Sequence, residues 1–211
     1  IKTASLACAT GCWILCDHAV EQGGVGSSAA NMARAMVVNS LLVAAGSLIG
    51  MILHTADMPW WNILAVVILL TVMMAGETIG TKIAGGKWCF VMPEGGLVPT
   101  VIVALLGGFY PMAGHWYLVE RENSKEYQRR MAEPAIVAWI FIFAAVIICG
   151  MLSTAHVLFS CIVEFGSMIL LFYMLPFYPF NTLGGKRVMD YHKGLYGILF
   201  ICSFLCLCFY L

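Results

Sequence analysis

The sequence has 211 residues, of which 62% are hydrophobic and 10% are charged. Soluble domains carry about 25% charged residues, so a water-soluble globule is excluded. Eleven basic and eleven acidic side chains give a formal net charge of zero, and without excess positive charge the chain is not expected to bind nucleic acid. The composition therefore predicts an integral membrane protein.

Residues 1–33 are predicted to form an amino-terminal segment and linker that precede a polytopic membrane domain, residues 34–211. The apolar run Ala4–Cys16 is too short to cross a bilayer, and we expect it to lie in the membrane interface. Because the chain begins with Ile1 rather than Met, we also expect that a leader was removed or that the true start precedes this residue.

The nine cysteines include no CxxC pair, which indicates free thiols rather than a disulfide framework. Three of them, Cys8, Cys12 and Cys16, are spaced along one helical face close to Asp17 and His18. A metal site there is an alternative to the simpler interpretation of these cysteines as small apolar helix residues.

Six segments are candidates for crossing a bilayer core about 30 Å thick, because each has enough apolar residues in sequence. They are Val37–Leu53, Trp60–Ile79, Leu97–Trp116, Ala135–Met151, Val157–Phe177 and Leu195–Leu211. We therefore predict an all-α membrane protein, and its topology depends on how many of these segments cross.

The segment Leu97–Trp116 decides the topology. If it crosses the membrane, the loops rich in Lys and Arg fall on both sides, whereas if it dips in and returns they share one side, as the positive-inside rule expects. Pro99, Pro111 and the pair Gly107-Gly108 also disfavour a straight helix there. We predict five transmembrane helices plus one re-entrant or broken segment, with six spans as the alternative.

Two acids lie inside predicted spans, where an ionisable side chain is costly and is by default a functional hypothesis. Glu77 is either a proton-relay or ligand site or, as the sequence favours, an acid that pairs with nearby Lys82 or is hydrated at the membrane boundary. His156, Ser160 and Glu164 share one helical face by their spacing. His156 and Glu164 are possible functional polar residues, and a lipid-facing Glu164 would require a partner.

A series of landmarks between about residues 60 and 200 resembles the site-2 protease family of intramembrane zinc metallopeptidases. The run Gly76–Gly80 takes the place of that family's HExxH motif. Ala132–Pro134 is similar to the Ala-Gly-Pro that opens the matching helix of the family. After a proline-rich approach, Leu183–Gly185 takes the place of Leu-Asp-Gly. The order of these landmarks carries the resemblance.

The resemblance also implies that the protein is catalytically dead. The family's three zinc ligands, two His and one Asp, correspond to Gly76, Gly80 and Gly184, which have no side chain to donate to a metal. Only Glu77 remains, in the place of the general base, and without metal-bound water it has nothing to activate. We expect no catalytic residue, no metal and no cofactor, but we do expect bound lipids.

Three functions follow as hypotheses. The first is a pseudoprotease that serves as an accessory subunit of a larger membrane complex, with other membrane subunits and lipids as partners. By analogy, we favour a respiratory or other energy-converting complex. Its membrane would be an organelle inner membrane such as the mitochondrial one. The second is an intramembrane metalloprotease with a rearranged ligand set, for instance Glu77, His156 and Glu164. The third is a lipid-binding or small-molecule-binding protein that uses Glu77 and Asn181.

Overall fold

The computed structural model describes residues 59–91, 115–119, 125–176 and 184–210, together with residues 30–45 except 34, 39, 42 and 43. This part of the chain is mostly helical. Four of its helices are long and apolar enough to cross a membrane, namely Trp60–Ala84, Lys125–Met151, Val157–Met174 and Lys193–Tyr210. Four of the predicted segments are thus helical, and these helices are compatible with an integral membrane protein.

The elements follow one another in a simple order. Helix α1 spans Pro59–Ala84, and two short strands follow, β1 (Trp88–Val91) and β2 (His115–Leu118). Helices α2 (Lys125–Met151), α3 (Val157–Met174), α4 (Gly185–Tyr191) and α5 (Lys193–Tyr210) complete the described order. The described residues between 30 and 45 are also helical.

The long helices alternate in direction. Gly80 of α1 lies against Pro134 of α2, whereas Gly76 lies against Ala138, so these two helices are antiparallel. Helix α3 begins beside the start of α1, where the ring centroids of Trp61 and His156 are 4.6 Å apart. Helix α5 then runs back along α2, from the end of α3 to Gly150, which lies against its last residue, Tyr210.

This alternation gives the bundle two different ends. The basic end contains the end of α1, the starts of α2 and α5, and α4, whereas the turn end contains residues 152–156. Every Lys and Arg that the structure describes lies at the basic end: Lys82, Lys87, Lys125, Arg129, Arg130, Lys186, Arg187 and Lys193. The described basic residues thus share one end of the bundle, as the prediction that the basic loops share one side requires.

Trp139 of α2 holds three helices together in the core. It is completely buried, and its ring centroid lies 5.4 Å from that of Tyr173 in α3 and 6.0 Å from that of Tyr196 in α5. Its indole N–H donates a hydrogen bond of 2.8 Å to the Ser203 hydroxyl. The large aromatic surface is thus buried without leaving its polar group unpaired.

Helix α2 begins at Lys125, well before the predicted start at Ala135. The stretch from Lys125 to Pro134, which precedes the predicted span, is therefore helical, and the triplet Ala132–Pro134 lies inside the helix instead of at its opening. Ion pairs at helical spacing explain the extra turns, because Arg130 contacts Glu126 at 3.2 Å and Arg129 contacts Glu133 at 3.1 Å. Such pairs stabilise a helix in the hydrated region outside the membrane core.

One short strand pair, which the sequence did not predict, interrupts the mostly helical chain. Strands β1 and β2 form an antiparallel pair in which Trp88 lies opposite Leu118 and Val91 lies opposite His115. The last two residues of the predicted membrane segment Leu97–Trp116 therefore belong to a strand, and the rest of that segment lies outside the described residues.

Several other predictions also fall outside the described residues. These concern the interfacial segment with its three cysteines, most of Val37–Leu53, and Asn181. The cysteines that the structure does describe are free thiols, as predicted: Cys89, Cys149, Cys161, Cys202, Cys206 and Cys208.

Candidate functional site

A buried acid–base pair joins α1 to β2. Glu77 Oε1 lies 2.5 Å from His115 Nδ1, and the two residues are 2% and 1% exposed. The prediction that Glu77 pairs with Lys82 or is hydrated at the boundary is therefore wrong. Lys82 is exposed at the end of α1, whereas Glu77 lies on the face of the helix that points into the protein.

The strand pair places His115 beside α1. Phe90 of β1 is completely buried, and its ring meets the Trp116 ring edge to face at a centroid distance of 5.6 Å. Phe90 packs in one cluster with Met74, one helical turn before Glu77, and with Ala35 from the amino-terminal helical residues. The same strand accepts a hydrogen bond of 3.1 Å at Phe90 O from the Asn31 side chain.

Two further polar side chains approach the pair from the carboxyl-terminal half of the chain. Tyr173 of α3 is completely buried, and its hydroxyl is within electrostatic range of both Glu77 and Arg187. Arg187 of α4 donates a hydrogen bond of 3.1 Å to Trp116 O, and its guanidinium carbon lies 4.7 Å from the centre of the Tyr117 ring. Arg187 thus connects α4 to β2 through these two contacts.

Four buried polar atoms in this region have no hydrogen-bond partner in the structure. They are Glu77 Oε2, His115 Nε2, Trp116 Nε1 and Tyr173 Oη. Buried polar atoms in proteins are almost always paired with protein or with ordered water. These four atoms are therefore the polar groups of this region that can still accept or donate a hydrogen bond.

Three glycines, at the positions where the resembled family has zinc ligands, lie against α2. A Cβ atom at Gly76 would be 2.8 Å from Ala138 Cα, and one at Gly80 would overlap Pro134 Cα. At Gly184, whose φ of +97° already favours glycine, a Cβ would be 2.8 Å from Ala135 Cβ. All three positions therefore meet residues 134–138, and the backbone of α2 occupies the space that side chains at 76 and 80 would need.

His156 lies at the turn end, far from Glu77. It is the N-cap residue of α3, where its Nδ1 accepts a hydrogen bond of 3.0 Å from Leu158 N. Its ring packs on Trp61, and the rise of α1 from Trp61 to Glu77 is about 24 Å at about 1.5 Å per residue. The hypothesis of a ligand set formed by Glu77, His156 and Glu164 is wrong, because the fold does not bring these residues together.

Glu164 lies in α3 and is exposed on the outer surface of the bundle. Ser160 and His156, on the same side, are also exposed, and the Ser160 hydroxyl donates a hydrogen bond of 3.1 Å to Ser153 O. Among the residues that the structure describes, no group of three or more His, Cys, Asp and Glu side chains could hold a metal ion.

The sequence interpretation missed three residues of this site: His115, Tyr173 and Arg187. The rule that selects Glu77, an ionisable residue inside an apolar segment, also selects His115 at the end of Leu97–Trp116. Tyr173 and Arg187 carry no such local signal. Comparisons with protein-family models, curated proteins and solved structures give no match, so function is inferred from the residues and their geometry.

Proposed function

We propose that the protein is a non-catalytic pseudoprotease of site-2 protease ancestry that acts as an accessory structural subunit of a larger membrane complex. One observation carries this proposal: the three positions where the resembled family has zinc ligands are glycines packed on residues 134–138 of α2. Close approach of two helices at small residues is a common way to stabilise membrane bundles. The proposed function is therefore support of a helical scaffold in place of metal chemistry.

The surroundings of Glu77 favour the same function. A general base of a zinc peptidase has to face a metal-bound water, whereas here the nearest partner of Glu77 is His115, at 2.5 Å. A donor side chain placed at Gly76 or Gly80 would have to displace the backbone of Ala138 or Pro134. The helices would then separate, at the cost of the packing that joins α1 to α2.

We further propose five membrane crossings and one re-entrant segment. The pairing of Val91 with His115 brings the two ends of the intervening chain together, which supports a segment that returns to the side from which it entered. The setting that we favour is an energy-converting complex of an organelle inner membrane, by analogy with accessory subunits of such complexes.

Native mass spectrometry of the protein, extracted gently from its own membrane, tests the proposal when metal analysis is made on the same sample. We expect a large assembly with one copy of the chain per unit and no stoichiometric zinc, both for the natural protein and for Glu77→Gln. A small species whose stoichiometric zinc disappears in Glu77→Gln would overturn the proposal.

The unpaired atoms around Glu77 favour a second candidate, a lipid-binding or small-molecule-binding protein. The Glu77 carboxylate oxygen, the His115 ring nitrogen and the Tyr173 hydroxyl offer both acceptors and donors to a polar ligand. The same mass spectra test this function. A bound small molecule that Lys82→Ala retains and His115→Gln loses would support it, whereas the protein mass alone in every variant would argue against it.

A further inference from the structure

Glu164 lies close to the middle of a helix that crosses the membrane. At about 1.5 Å per residue, α3 rises about 10 Å from Val157 to Glu164 and about 15 Å from Glu164 to Met174. Neither end of the helix is within reach of a short glutamate side chain, so the carboxyl group cannot extend to the membrane surface as a long Lys or Arg can.

The opposite face of α3 fixes the outward direction of Glu164. Ile162, Ile169, Leu170 and Tyr173 are all buried in the main core, so the helix cannot rotate to bring Glu164 inside. On this outer face Val157 and Leu171 are 49% and 43% exposed, and the nearer Ser160 directs its hydroxyl to Ser153 O. No hydrogen bond or ion pair of Glu164 is found within the described chain. A polar group in this position needs a partner that the described part of the chain does not supply.

We propose that the outer face of α3, defined by Val157, Glu164 and Leu171, is the docking surface for a transmembrane helix of a different subunit that presents a Lys or Arg side chain to Glu164. This inference rests on the proposed function in one respect, the existence of a partner subunit, and is independent of the pseudoprotease ancestry.

Charge complementarity selects a basic partner. A carboxylate that leaves water is stabilised only by an opposite charge or by several hydrogen-bond donors, and an Arg or Lys at the same depth supplies both. In return, Glu164 would neutralise a basic residue that is equally unfavourable in lipid. Two helices that are each destabilised alone thus become complementary when they associate.

A second copy of this chain does not fit the surface. None of the six predicted membrane segments contains Lys or Arg, and the described Lys and Arg residues all lie at the basic end of the bundle. Copies inserted with the same orientation would bring Glu164 against Glu164 or against side chains that are neither Lys nor Arg. Two carboxylates at one site repel each other, so the surface selects a different chain.

In the test, a photoreactive amino acid replaces Leu171, which lies two helical turns after Glu164 on the same face of α3. The protein stays within its own membrane. We expect a crosslink to one transmembrane helix of another subunit, with a Lys or Arg near the crosslinked residue. In the background of that probe, we expect Glu164→Leu and Glu164→Lys to reduce the crosslink and the co-purified partner about tenfold, which corresponds to about 1.4 kcal/mol. Ile198→Leu, on the exposed face of α5, is the matched control and should change neither.

The decisive experiment exchanges the charges of residue 164 and of the partner's basic residue. Glu164→Lys combined with replacement of the partner's basic residue by Glu should restore co-purification. A crosslink to lipid, to a second copy of this chain, or to a helix without a basic residue would overturn the inference, as would an unchanged yield with Glu164→Leu. If that yield is unchanged while the assembly persists, the docking surface is wrong and the accessory role stands. If no assembly exists, both proposals fail.

Discussion

His115, the first residue of β2, is the hydrogen-bond partner of Glu77, which lies 38 residues earlier in α1. Both side chains are almost completely buried, so neither can turn to water if the other is removed. We expect His115→Ala to lower the free energy of unfolding by about 1–3 kcal/mol, the usual effect of leaving a buried polar group without its hydrogen-bond partner. Glu77→Gln should have a smaller effect, because the amide can still hydrogen bond to the imidazole. Chemical unfolding in detergent micelles measures both.

A comparison of two double-mutant cycles provides the control for this prediction. The cycle between Glu77 and His115 should give a coupling energy of about 0.5–3 kcal/mol, as residues in direct contact do. The cycle between Glu77 and Lys82, the partner expected from the sequence, should give none within error. Equal coupling in the two cycles would show that the contact between Glu77 and His115 does not stabilise the fold.

The contact between Gly80 and Pro134 gives a second prediction. In Gly80→Ala, the added methyl group would overlap a backbone atom of α2, which cannot swing away as a side chain can. We expect a loss of about 1–3 kcal/mol in the free energy of unfolding, as for other overpacked sites. Gly197→Ala in α5 is the matched control, because a Cβ there has no atom within 4 Å, and its helix propensity should leave stability equal or slightly higher. Similar losses for the two variants would contradict close packing at Gly80.

The sequence predicts much of the helical fold but little of the site. Long apolar runs are local patterns, so four of the membrane helices appear at nearly their observed positions. The start of α2 is missed because its charged first turns resemble a loop, although Arg130 and Glu126 stand at a spacing that stabilises a helix. The Glu77–His115 pair depends on which elements meet in space, and periodicity in one segment carries no information about that.

The hydrogen bond between Trp139 and Ser203 gives a third prediction, because it joins α2 to α5 inside the bundle. Ser203→Ala would leave a completely buried indole N–H without an acceptor. Interhelical hydrogen bonds in membrane proteins contribute about 0.6 kcal/mol on average and up to about 1.7, and we expect a loss in this range. Thr71→Ala is the control, since the exposed Thr71 hydroxyl donates its hydrogen bond to Val67 O of its own helix. Equal stability of Ser203→Ala and the natural protein would contradict a stabilising role for this bond.

The concentration of basic residues at one end of the bundle gives the final prediction. Five lysines are exposed at the basic end of the bundle: Lys82 in the last turn of α1, Lys125 and Lys193 at the starts of α2 and α5, and also Lys87 and Lys186. In sealed vesicles with one protein orientation, a membrane-impermeant amine reagent should label all five from the same side, as peptide mass spectrometry would reveal. Thr154→Lys places an amine in the exposed turn at the opposite end, so it should be labelled only from the other side. Division of these five lysines between the two sides would contradict the alternation of helices. An even number of the described spans separates every pair of described basic loops.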